Sequence, residues 1–305
     1  MKVLIAVDGS AGSFEAVSQI AKLVSPGAHE LALYCSPPEI RVSSKSTGPE
    51  VLARAREALA QAIFEEARKR LPGEFAAAVQ TIVGKQDPRH GVVAAAEQWS
   101  AQLIVVGARG LGAFDRLLLG SVSRSVVHGS KIPVWVARAN TAPAHAGMHV
   151  LLACESPELG RGGAELLGQF NWPEGTACRA LTVIPSMFAG HVPDWLERQA
   201  RSPDVEAMVA AWAREHDEEV RANVARMQDF CRDLPAPCRG SQPLVTEGEP
   251  TAEILKAIGR EQIDLVVIGV KRKHSIAEAI LGSTSEAVLN HANCSVLLVP
   301  HRVAP

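Results

Sequence analysis

Residues 101–138 recur as residues 263–300 at one constant spacing: Gly107 matches Gly269, Gly120 matches Gly282, Ser121 matches Ser283 and Ser123 matches Ser285. The register reaches back to Pro88 and Pro250. The chain's start is repeated as well, with Val3-Leu-Ile-Ala-Val-Asp8-Gly-Ser set against Val150-Leu-Leu-Ala-Cys-Glu155-Ser-Pro. A repeat this long means two copies of one domain, not a stack of small units. With 305 residues, each copy has enough chain for its own core. The expected domains are 1–140 and 148–305. Residues 139–147 between them lack periodicity and read as a linker.

Each copy alternates strand and helix patterns. In the first, apolar strand-like runs fall at 2–7, 30–35, 75–83, 103–106 and 134–137. Helical patterns fall at 13–24, 49–71, 88–100 and 121–129. Asp87-Pro88 is a strong helix start, with Asp as cap and Pro at the first helical position. The second copy repeats this order. Its strands are expected at 150–154, 179–184, 243–247, 265–269 and 295–299, with helices at 159–169, 203–234, from Pro250 and from Ser283. Strands separated by helices of ten residues or more imply parallel crossovers. The expected fold is therefore α/β, two tandem doubly wound domains. The second copy carries extra residues between Ile184 and Leu234, among them Met187, Phe188, Val192, Trp195, Leu196, Met208 and Trp212. A longer helix packed on its own domain is the expected use of that insertion.

The formal net charge of −2 and the lack of a long basic run argue against nucleic acid as the main partner. No apolar stretch is long enough to span a membrane. The chain enters its first strand directly, without a signal-peptide pattern, which predicts a cytoplasmic address. The six cysteines form no C-x-x-C and no zinc-spaced cluster. Cys35, Cys154 and Cys294 sit in strand-like runs and read as small core residues. Cys231 and Cys238 are close in sequence, but a disulfide would be unusual for a cytoplasmic chain.

The segment Gly107-Ala-Arg-Gly110, nine residues, Gly120-Ser121-Val122-Ser123 reads as strand, glycine loop and helix N-terminus. Glycines allow close backbone approach to a ligand, and a helix N-terminus offers unpaired N–H groups to an anion. The combination suggests a phosphate site. The same residues could instead be a plain turn followed by a serine-started helix. The loop is not a Walker A motif and does not follow the first strand as a Rossmann fingerprint does. In a parallel α/β sheet, Asp8 after the first strand and Gly107 after the fourth can share one crevice at the strands' carboxyl ends. There Asp8 could accept from a ribose hydroxyl or help hold Mg²⁺.

This spacing, in a domain opening strand-Asp-Gly-Ser, resembles the universal stress protein family. The resemblance covers nearly the whole chain as two tandem family domains. It implies a five-stranded parallel sheet in each, with helices on both faces, and ATP as ligand. Carried over, Asp8 would sit by ribose or phosphates with Ala6 and Val7 beside it. Cys35, where the family usually has valine, would present its backbone to adenine. Val106, Gly107, Gly110, Gly120, Ser121, Val122 and Ser123 would enclose ribose and triphosphate. The second copy departs from the pattern: Arg272 replaces the second glycine and Glu155 replaces the aspartate. With Gly269, Gly282, Ser283 and Ser285, Arg272 marks a weak or vestigial site. The family's pairing through its last strand points to an intramolecular contact between 134–137 and 295–299, while further association into a homodimer stays open.

No nucleophile–base pair stands out, and His128 has no acid placed in sequence to orient it. The first functional expectation is an ATP-binding regulatory protein of the stress response, acting on an unknown protein partner. The alternatives are a slow ATPase or other adenine-nucleotide enzyme, and a structural scaffold with empty sites.

Overall fold

The computed structural model describes residues 1–37, 48–110, 119–139, 147–185, 203–271 and 281–301. The first half contains β1 (Lys2–Ala6), α1 (Ala11–Ala21), β2 (Glu30–Cys35), α2 (Pro49–Arg68), α3 (Gly73–Ala78), β3 (Gln80–Val83), α4 (Pro88–Trp99), β4 (Leu103–Gly107), α5 (Ser121–Gly129) and β5 (Val134–Ala137). The second contains β6 (His149–Ala153), α6 (Pro157–Leu167), β7 (Ala177–Ile184), α7 (Pro203–Asp233), β8 (Leu244–Glu247), α8 (Pro250–Arg260), β9 (Leu265–Lys271), α9 (Ser283–His291) and β10 (Ser295–His301). Strands of each half pair in parallel, in the order β3-β2-β1-β4-β5 and its repeat β8-β7-β6-β9-β10. This is the doubly wound α/β arrangement expected, one five-stranded sheet per copy.

The two sheets are fused. β5 and β10 pair antiparallel, Val134 with Leu298, Trp135 with Leu297 and Val136 with Val296, giving one ten-stranded sheet. Helices cover both faces, so central strands must be apolar throughout, and every residue of Leu103–Gly107 is buried. On one face Val3, Ile5 and Val7 pack with Val17 and Ile20 of α1 and Phe64 of α2. The same cluster runs across the seam to Leu167 of α6 and Met227 and Phe230 of α7. The other face joins Leu4, Ile104 and Val106 with Val126 of α5, and continues to Ile258 of α8 and Val288 of α9.

Polar groups lock the seam. Gln19 of α1 donates to the Arg138 carbonyl at 2.7 Å, and its own carbonyl accepts from Trp135 Nε1 at 3.1 Å and Ser295 Oγ at 2.9 Å. Trp135 is fully buried and meets Phe170, from the second half, edge-on at 6.0 Å. Arg124 of α5 pairs with Glu286 of α9 at 3.1 Å.

Two sequence expectations need adjustment. The stretch 75–83 is not one strand: Phe75 is buried in α3, and only Gln80–Val83 pairs with β2. A disulfide joins Cys178 to Cys238, with Cα atoms 4.7 Å apart, so the cysteines are not all free thiols and Cys231 is not the partner of Cys238. The long insertion helix does pack on its own half, through His216, 2.9 Å from Glu247 of β8, and through a buried C-terminal part. Met227, Phe230 and Cys231 are buried there, while Met208 and Trp212 are exposed. Met187, Phe188, Val192, Trp195 and Leu196 lie outside the described residues, as does most of the linker.

Truncating Trp135 to alanine removes a fully buried ring that both halves contact. It should lower stability by about 3–5 kcal/mol, read as a shift of the urea midpoint of the whole chain.

Candidate functional site

The first half's strand order reverses between β1 and β4, which are neighbours. A crevice opens at the carboxyl ends of such a switch point. Here it has a volume of about 610 Å³. Ala6, Val7, Asp8, Cys35, Val106, Gly107, Gly110, Gly120, Ser121, Val122 and Ser123 all line it. The residues read from sequence are thus brought together in space, although 111–118 of the loop lie outside the described residues.

Local chemistry fixes each of them. Gly9 adopts φ of +84°, a left-handed conformation that glycine reaches without strain. This turn lets Asp8 Oδ1 accept from the Ser10 N–H at 2.9 Å. Ser10 then caps α1, its Oγ accepting from the Ser13 N–H at 3.2 Å. Across the crevice, Gly120 begins α5 and has no side chain to cap it. Among the described residues, the first-turn N–H groups at Ser121 and Val122 are therefore left for solvent or a ligand. Ser123 behaves differently from Ser121. Its buried hydroxyl donates to the Gly107 carbonyl at 2.6 Å, tying helix to strand end.

The two loop glycines have separate roles. A Cβ on Gly110 would overlap Asp8 Oδ2, so Gly110 keeps the carboxylate accessible to the crevice. A Cβ on Gly107 would instead lie 2.5 Å from the Gly12 carbonyl carbon, on the backbone of α1. Gly107 therefore does not clear space for a ligand, as its sequence context suggested, but lets two backbones touch. Gly12 reciprocates, since its own Cβ would come 2.6 Å from the Arg109 carbonyl. Ser10 Oγ donates to that same carbonyl at 3.3 Å.

The structure adds lining residues that the sequence did not single out as ligands: Tyr34, Arg56, Gln86 and Asp87. Asp87 was visible only as a helix cap, and α4 opens onto the crevice mouth. Hydrogen bonds from the Arg89 side chain and backbone hold its carboxyl down to about 2. Arg56 donates to the Pro37 carbonyl at 3.1 Å from α2, and its amphipathic-helix context gave no sign of this. The Cys35 thiol is pushed up to about 12 by burial, with the Asp8 charge adding to it. Its carbonyl already accepts from Gly84 N–H at 2.7 Å.

The second half repeats the crevice on a smaller scale, about 350 Å³. Gly269, Gly282, Ser283 and Ser285 line it, and Ser285 Oγ donates to the Gly269 carbonyl at 3.1 Å, as Ser123 does to Gly107. Arg272 lies outside the described residues. Leu159, Leu181, Val183, Ile254 and Ile268 make this crevice more apolar than the first. His128 does have an acid nearby, contrary to the sequence reading. Glu286 Oε2, from the other half, lies 3.6 Å from its Nε2. That contact belongs to the seam.

The universal stress protein family matches residues 1–138 and 186–300. The chain belongs to this family. A universal stress protein of Mycolicibacterium smegmatis is 28% identical over 98% of this chain and 97% of its own length. Universal stress protein YxiE of Bacillus subtilis is 30% identical over 45% of this chain and 98% of its own, so about one half here corresponds to that whole relative. The crystal structure of a universal stress protein from Archaeoglobus fulgidus shares the fold, with 20% identity, a TM-score of 0.61 and 98% of each chain covered. The tandem arrangement is thus a property of this chain and of full-length relatives.

Two outcomes follow from this geometry. Gly107→Ala should cost about 1–3 kcal/mol through overpacking against α1, whereas Gly259→Ala, on the exposed side of α8 with nothing in its way, should be neutral or stabilise by up to about 1 kcal/mol. Urea titrations of the two variants check the contrast. Cys35, buried and protonated at neutral pH, should resist iodoacetamide in the folded protein at pH 8 and react fully after denaturation, as followed by peptide mass spectrometry.

Proposed function

We propose that this universal stress protein is an ATP-binding regulatory protein, with the nucleotide held in the crevice of the unit 1–140 and the unit 148–305 as its paired companion. The observation that carries the reading is the uncapped N-terminus of α5 facing Asp8 across Gly110. A triphosphate needs hydrogen-bond donors without acceptor competition, and the first-turn amides supply them. The Ser121 hydroxyl adds another donor. Asp8 uses Oδ1 on Ser10, which leaves Oδ2 to meet a ribose hydroxyl or a phosphate-bound Mg²⁺. A volume of about 610 Å³ is in the range of small-molecule sites. The residues present therefore fit a magnesium–nucleotide complex. Val7, Val106 and Val92 offer apolar walls to the ribose and base.

In this reading the bound nucleotide sets the loop's conformation and thereby the choice of protein partner, and the chain acts in the cytoplasmic stress response. No helix among the described residues is long and apolar enough to cross a membrane.

Gly110→Arg places a side chain where Asp8 Oδ2 now lies. It should weaken ATP binding at least tenfold, or about 1.4 kcal/mol. Calorimetry on the folded variant is the check, and an unchanged affinity would refute the reading.

A further inference from the structure

The two halves lead into their outermost strand by different means. In the first half, α3 stands between α2 and β3, and Phe75 of α3, with Val79 just beyond it, joins the buried cluster that holds Leu31 of β2. The pairing of β1 with β2, and of β6 with β7, puts Cys178 where the first half has Leu31. Residues 234–243, which lead from α7 into β8, are turns and irregular chain. Between Pro235 and Pro243, Cys238 is the one buried residue, and its sulfur is bonded to Cys178. Where the first half uses permanent apolar packing, the second uses a covalent bond that can be made and broken. The Gly240 N–H and Arg239 Nε donate to the carbonyls of Cys231 and Leu234, at 2.8 and 3.2 Å, which fastens this segment to the end of α7. The other end of the helix is lightly held: Met208 and Trp212 are exposed, and His216 reaches Glu247.

We propose that Cys178 and Cys238 are a reversible redox clasp. As a disulfide they hold the end of α7 against β7; as thiols they let it lift and uncover Met227, Phe230 and Cys231. In the cytoplasm a permanent bond of this kind is unusual, and those that form there are mostly transient and redox-sensing. Closure is thiol–disulfide exchange with a low-molecular-weight disulfide such as oxidised glutathione. One cysteine thiolate attacks the small disulfide and expels one of its thiols. The other cysteine then attacks the mixed disulfide and expels the second. Two electrons pass to the small disulfide, and the two cysteine protons end on the two thiols released. A dithiol reverses the sequence and leaves as its own cyclic disulfide. The buried sulfurs are reached because a lightly held helix opens locally, without unfolding the core.

The test is a short pulse of N-ethylmaleimide on the native full-length chain, held in oxidised glutathione or in dithiothreitol, with each cysteine followed by peptide mass spectrometry. In oxidised glutathione Cys178 and Cys238 should be bonded, and the buried Cys231 should label slowly. In dithiothreitol both clasp thiols should be free, and Cys231 should label about tenfold faster or more. Cys35 and Cys294, buried in other parts of the chain, should stay slow in both. Cys178→Ser should give the fast Cys231 labelling in either buffer, and Cys238→Ser stands in if that variant does not fold by circular dichroism. A bond that does not form in oxidised glutathione, or that dithiothreitol leaves intact in the native chain, overturns the clasp. So does Cys231 labelling at one rate in both buffers, or slowly in a folded serine variant, since the bond is then a passive staple. Parallel gains at Cys35 and Cys294 would mean general unfolding and overturn it equally.

Discussion

Three residue pairs between β5 and β10 hold this architecture together. A parallel α/β domain ends with an open, apolar edge strand, and β5 is four residues long and wholly buried. Left unpaired, such an edge recruits whatever strand it meets. Pairing it with β10 satisfies both edges at once and makes the two cores continuous on each face of the sheet. The remaining edges, β3 and β8, are four residues each and only partly buried. The Gln19 amide serves as a polar pin at the centre of the seam, using donor and acceptor on groups from both halves.

The seam also shows what duplication permits. Arg124 and Glu286 occupy equivalent positions in the two copies, as do His128 and Asn290. In an assembly of identical copies, residues near the dyad confront themselves, and two arginines would repel. In one chain the copies are free to diverge, and Arg124 faces Glu286 at 3.1 Å and Asn290 at 3.4 Å. Opposite charge at the seam favours the pairing of unlike halves over like ones.

Much of this was legible in the sequence because it is local. Asp87-Pro88 predicts the start of α4, and Asp87 caps it as expected. The apolar run at 134–137 and its match at 295–299 identify the strands that meet. The glycine spacing identifies the residues that line the first crevice. What stayed hidden depends on partners far away along the chain. Gly107 looks like a ligand-facing glycine until Gly12 is seen against it. His128 looks unpartnered until Glu286 arrives from another copy of the domain. Cys178 and Cys238 are 60 residues apart, and no spacing rule joins them. The run from Phe75 fits a strand pattern in sequence, yet its apolar and alanine-rich residues serve a short helix equally well.

The antiparallel sense of the central pair has a geometric consequence. In each half the strands run parallel, and the crevice lies at their carboxyl ends. Reversal at β5–β10 sends those ends in opposite directions. The two crevices therefore open on opposite rims of the ten-stranded sheet, looking away from each other. Whatever enters one crevice therefore approaches from the rim opposite to the one that leads into the other.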